Sequence, residues 1–102
     1  MLVSKYKEVK KSLPENSFLF LRLGDFYEAF DEEAEKLSEY KKINKEKYSQ
    51  PSVMNGFTMD GILIWQLEQY SQIINETIYI LERAGKKGDW SLKKDIDILT
   101  KK

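Results

Sequence analysis

Apolar positions along this chain fall into a few distinct patterns. Leu2, Tyr6, Val9 and Leu13 recur at helical spacing, with lysines filling the other face. They predict a helix over 2–12, closed before Pro14, because the residue preceding a proline is biased out of the helical region. Residues 18–23 read Phe-Leu-Phe-Leu-Arg-Leu, apolar throughout except for Arg22. A run this short and aromatic-rich, bounded by Gly24-Asp25, predicts a buried strand ending in a turn. Phe30, Ala34 and Leu37 return to near-helical spacing and predict a helix over 31–39. Asp31 stands at its N-cap, and the acids that follow suit the positive end of the helix dipole. Leu63, Leu67, Tyr70 and Ile74 then follow one stripe, widened by Ile62, Trp65 and Ile73. That broad face predicts the main helix, over 59–74, with Thr58 as N-cap and Gly61 tolerated in its first turn. Trp65 reads there as a core or half-buried anchor. Residues 76–82 are β-branched and aromatic and predict a central strand. A turn follows at 85–89, and Asp95-Ile96-Asp97-Ile98 alternates in the manner of an edge strand.

Strand and helix alternate, so the expected class is α/β: a mixed sheet containing 18–23, 76–82 and a tail strand, flanked by about three helices. With 102 residues the chain is expected to be one domain, 1–102.

Composition narrows the chemistry. Hydrophobic residues make up 41% and charged residues 33%, the balance of a folded soluble domain rather than a disordered one. There is no Cys, hence no disulfide framework and no thiol chemistry, and no His, the commonest general base and metal ligand. No cofactor is expected. Gly85-Lys86-Lys87-Gly88 lacks the spacing of a phosphate-binding P-loop. Asp25, Glu28 and Asp31 are close in sequence, yet nothing supports them as an acid/base site, so no enzyme is expected. No stretch approaches the length of a membrane span and the N-terminus has no sustained apolar segment, so a cytoplasmic location without membrane contact is expected.

Net charge is zero, with 17 basic and 17 acidic residues. Free-standing DNA-binding domains carry a basic excess, so any nucleic-acid contact must use a local patch. The most basic window is 40–50, where Lys41, Lys42, Lys45 and Lys47 are interleaved with Tyr40 and Tyr48. It reads as a loop or irregular strand, either simply solvated or in contact with phosphates. Lys5, Lys7, Lys10 and Lys11 are the cations that could join it. If residues 26–30 are extended, Phe26 and Glu28 share one face. A ring and a carboxylate placed side by side beyond a turn suit stacking on a base and accepting a hydrogen bond from it. A core phenylalanine beside a solvated glutamate is the structural alternative.

The run Arg22-Leu23-Gly24-Asp25-Phe26-Tyr27-Glu28-Ala29-Phe30 resembles the start of the N-terminal mismatch-recognition domain of the MutS DNA mismatch repair family. Pro51 to Phe57 and the 76–82 strand continue the likeness more thinly, with Asn55 in place of an alanine and Thr58 in place of a proline. The resemblance implies a Phe-X-Glu element. Phe26 would wedge into a duplex against a mispaired or unpaired base, and Glu28 would hydrogen-bond that base. It also implies mispaired duplex DNA as partner, with a larger repair protein as a further one. The family's clamp and ATPase portions have no room in this sequence. A protein-interaction module of the same fold that has lost DNA binding is the alternative.

Overall fold

The computed structural model describes residues 2–46, 51–85 and 88–94. They form a six-stranded mixed sheet with helices on both faces, as the βα alternation predicts. Helix α1 (Leu2–Ser12) leads into β1 (Ser17–Leu23), which turns back into β2 (Phe26–Phe30). Helix α2 (Glu32–Ile43) follows, then β3 (Ser52–Met54) and β4 (Phe57–Leu63). A 3-10 turn at Ile64–Gln66 and the short α3 (Leu67–Ser71) lead to β5 (Thr77–Arg83) and β6 (Trp90–Lys94). The strand order is β3-β4-β2-β1-β5-β6. Strands β1 and β5 pair in parallel; the other four pairings are antiparallel.

Tight turns fix the registers. Gly24 adopts φ +60 in the two-residue β1–β2 hairpin, so Leu23 pairs with Phe26. Asn55 and Gly56, at φ 52 and 80, close the β3–β4 hairpin between Met54 and Phe57. Both central residues with positive φ make the hairpin turn that Asn-Gly favours.

Side chains alternate between two cores. Phe18, Phe20, Tyr27, Ala29, Ile62, Ile78 and Ile80 pack beneath Leu37 of α2 and Leu67 and Tyr70 of α3. On the opposite face, Leu19, Leu21, Phe30 and Leu81 pack against Tyr6 of α1. Tyr6 meets Phe30 edge to face at 5.1 Å between ring centroids. At Leu19, β2 has already turned away, leaving backbone groups of β1 without strand partners. Glu33 of α2 accepts the Leu19 N–H at 2.9 Å, and the Tyr6 hydroxyl donates to the Leu19 carbonyl at 2.5 Å. Burial pushes the Tyr6 phenol well above its ordinary pKa, with Glu33 adding to the rise. Glu33 is itself buried, and Lys36 and Lys10 balance its charge at 3.1 and 3.6 Å.

The expected helix over 59–74 is corrected. Residues 57–63 are a strand, and only 67–71 are α-helical. The ladder with β2, from Phe30↔Met59 to Phe26↔Leu63, supplies the backbone partners, and tertiary pairing overrides an apolar spacing that also suits a helix. Thr58 therefore caps nothing; its N–H donates to the Asp31 carboxylate at 3.2 Å. Asp31 does stand at the N-cap of α2, yet its side chain makes no capping bond. Hydrogen bonds from Lys7 and the Thr58 N–H hold its carboxyl below the usual aspartate range. Helix α2 runs on to Ile43, so Lys41 and Lys42 are helical rather than in a loop. The edge strand is Trp90–Lys94; residues 95–98, expected to form it, lie outside the described residues.

Candidate nucleic-acid interface

Phe26 is the first residue of β2 and is 46% exposed. Its backbone lies between Leu23 of β1 and Leu63 of β4. The Ile64 N–H donates to the Asp25 carbonyl at 2.9 Å, and the Leu63 N–H donates to the Gln66 side chain at 2.9 Å. An exposed ring is thus carried on a strand that is paired with a neighbour on each side. That is the condition for an aromatic side chain that must keep its position against a load.

Glu28 follows two residues later on the same face. Tyr27 and Ala29, which alternate with them, are buried in the core under α2 and α3. Phe30, on the Phe26 face, belongs to the α1 core. Phe26, Glu28, Ser52, Met59, Asp60 and Gly61 line an open pocket of about 250 Å³. Glu28 is half-buried there. Burial pushes its carboxyl above the ordinary glutamate range, Asp60 adds to the rise, and Lys41 opposes it. A carboxyl held this way retains a proton more readily than an exposed one and can then donate as well as accept.

The lysines expected at a phosphate contact are dispersed. Lys41 is only 7% exposed. Its ammonium donates to Asp60 at 2.7 Å and to the Gly61 carbonyl at 2.6 Å, which removes it from solvent and from any phosphate. Lys42 is exposed and pairs with Glu39 at 3.1 Å. Lys45 is exposed, at φ 59 just past the helix, and Lys47 lies outside the described residues. Helix α2 covers the Tyr27–Ala29 face, so Lys42 and Lys45 are carried on the side of the sheet opposite Phe26 and Glu28. The Phe26 side carries the cations of α1, and also Arg83 and Lys94, which stack on Trp90 and Tyr79 of that face. Lys7 lies 5.5 Å from the Phe57 ring centre on β4 and pairs with Asp31 at 2.5 Å. Lys10 donates to the Ser17 carbonyl at 2.6 Å, and Lys11 is exposed in the last turn.

Sequence reasoning missed two residues here. Trp65, expected to be an anchor, is 71% exposed in the 3-10 turn that adjoins the Gly24-Asp25 turn. Gly61 was read as helical, whereas it faces Glu28 across the β2–β4 ladder. An isolated glycine inside a strand marks close approach of another group, and that signal needed only the strand to be recognised.

Comparison with known proteins places the chain in a family. The family model for MutS domain I matches residues 1–95. This chain belongs to the MutS domain I family. Among its relatives is a DNA mismatch repair protein MutS from Streptococcus pyogenes, 31% identical over 87 residues, covering 85% of this chain and 10% of that protein. Another, a DNA mismatch repair protein MutS from Lactobacillus acidophilus, is 32% identical over 78 residues, covering 76% of this chain and 9% of its own length. The chain thus spans about a tenth of the length of the curated relatives it matches. The MutS domain I match takes in α1, the Phe26–Glu28 hairpin and the β4–β5 segment together, from one end of the described sheet to the other.

Proposed function

We propose that this chain is a DNA mismatch-recognition module that binds and does not catalyse. Phe26 enters the duplex at a weakened base step, and Glu28 hydrogen-bonds the displaced base. The observation that carries this reading is the exposed Phe26 ring on a strand paired on both sides, with Glu28 beside it on one face. Membership of the MutS domain I family, with relatives named as mismatch repair proteins, supports it.

Energetics account for selectivity. Inserting a ring between stacked bases costs a few kcal/mol. Base–aromatic stacking returns about 1–3 kcal/mol. The two nearly cancel on a sound duplex, so insertion is favoured only where a mispair or unpaired base has already weakened the step. Phosphate contacts must supply the remaining affinity, and each adds salt dependence. The position of α1 supports Lys11, with Lys7 and Lys10 behind it, in that role ahead of the lysines of α2. With zero net charge, binding by this chain alone is weak, and a larger cytoplasmic repair protein is its expected partner.

A second reading has its own support. Trp65 and Phe26 are large apolar side chains exposed at the same end of β2 and β4, a composition suited to docking on a protein. Fluorescence anisotropy with labelled duplexes, one mispaired and one matched, at two salt concentrations separates the two. The mismatch reading expects tighter binding to the mispaired duplex and loss of that difference in Phe26→Ala. No binding to either duplex at low salt favours the protein-interaction reading.

A further inference from the structure

Gly61 is a glycine for which the backbone gives no reason. Its φ lies outside the left-handed region, unlike Gly24, Gly56 and Gly85, so any residue could adopt its conformation. The reason is on its Glu28 side. A Cβ built on Gly61 would lie 2.6 Å from Glu28 Cδ, 2.6 Å from Oε2 and 2.7 Å from Oε1. Non-bonded carbon and oxygen do not approach so closely, so the Glu28 carboxyl occupies the volume that a side chain at 61 would fill.

The strand cannot yield instead. The Gly61 carbonyl accepts from Lys41 at 2.6 Å, and the Gly61 N–H donates to Asp60 Oδ1 at 2.9 Å. Asp60 Oδ1 also receives the Lys41 ammonium, so one buried ion pair grips both peptide groups of Gly61. The other oxygen, Asp60 Oδ2, is buried without a hydrogen-bond partner. The residue pinned from one side of the sheet is the residue whose missing side chain makes the seat on the other.

We propose that Gly61, clamped by Lys41 and Asp60, is a positioning residue that seats the Glu28 carboxyl against β4, so that Phe26 projects ahead of Glu28 toward a base. This rests on the reading of Phe26 and Glu28 as the base-contacting pair. In this arrangement the ring enters first, and the carboxyl meets only a base that has already been displaced. A Glu28 lifted off the strand would stand beside the ring and carry its charge toward the phosphates of every duplex, matched or mispaired.

The test is Gly61→Ala, read in two ways on the intact chain. Carboxyl carbon-13 NMR, with the Glu28 resonance assigned through Glu28→Gln, should show the Glu28 titration midpoint moving down toward that of an exposed glutamate, because burial is the leading cause of its elevation. Preference for a mispaired over a matched duplex should fall by about tenfold, the loss of one charge-assisted hydrogen bond. On a Glu28→Ala background, Gly61→Ala should have no further effect on preference. An unchanged Glu28 midpoint, or an equal loss of preference on the Glu28→Ala background, overturns the proposal. If Gly61→Ala fails to fold, the double variant Glu28→Ala, Gly61→Ala decides. Folding of the double variant upholds the conflict between carboxyl and Cβ, and its failure overturns it. A shifted midpoint in a chain that binds no duplex would uphold the seat while sinking the mismatch reading. An unshifted midpoint in a chain whose mismatch preference depends on Phe26 would do the reverse.

Discussion

Two glutamates five residues apart meet opposite fates. Glu33, at the seam where β2 leaves β1, is buried with its needs met: one backbone N–H and two lysines. Glu28, on the wing formed by β2, β4 and β3, is half-buried against a glycine with Asp60 near it, and burial pushes its carboxyl above the ordinary glutamate range. A carboxylate that completes hydrogen bonds stabilises a fold, and one that is crowded beside another acid is held in reserve. The seam is built for stability; the wing tolerates an exposed ring, an uncomfortable acid and an unpartnered Asp60 oxygen.

Substitutions can break or sharpen that contrast. The largest effect is expected for Glu33→Ala, which strands the Leu19 N–H and two lysines. It should lower stability by about 3 kcal/mol in urea unfolding, and a loss below about 1 kcal/mol would remove the seam's special status. Lys41→Met comes next. Asp60 then keeps a nearly buried charge with only the Gly61 N–H to balance it, at a cost of about 2 kcal/mol, while duplex affinity of the folded variant stays unchanged. A weakened affinity with intact stability would return Lys41 to the list of phosphate contacts.

Glu28→Gln should act in the other direction and be smaller. Because the folded state holds the Glu28 proton more tightly than the unfolded chain does, ionisation weakens the fold as pH rises past the ordinary glutamate range, and the deficit persists above the folded value. The glutamine variant should therefore melt at an equal or slightly higher temperature than the parent at neutral pH. The difference should vanish below about pH 4, where both states of the parent are protonated. A glutamine variant that melts lower at neutral pH would show Glu28 to be a stabilising residue like Glu33. The smallest effect is expected for Lys42→Ala. Its partner Glu39 is even more exposed, so stability should change by less than about 0.5 kcal/mol.

Legibility followed the same division. Strand β1 was readable because burial on both faces leaves an almost unbroken apolar run, and α1 because its lysines and apolar residues separate cleanly. Phe26 falls at an exposed strand end because a two-residue turn fixes where β2 begins. The wing was misread at 59–74. Leu63, Leu67, Tyr70 and Ile74 keep a helical period across a boundary where strand, 3-10 turn and short helix succeed one another. Asn55-Gly56, a strong hairpin signal, lay just upstream and argued for a strand at 57. Lys41 could not be distinguished from its neighbours by composition, because only the helix register turns it inward toward Asp60. The roles of Gly61 and Trp65 were hidden for the same reason: both depend on which strand lies alongside.

The parallel pairing of β1 with β5 has a consequence for the order in which the chain acquires its structure. The β1–β2 and β3–β4 hairpins close through two-residue turns and need only local search, which takes microseconds. Setting Ser17 beside Thr77 requires most of the chain to be gathered into a loop before a single rung is made. Contacts so distant in sequence come late, so the β1–β2 hairpin exists as a local turn before the sheet that will hold it rigid. During synthesis the Phe26 ring therefore waits on β5, and any handling of the nascent chain acts on an apolar hairpin without its central support.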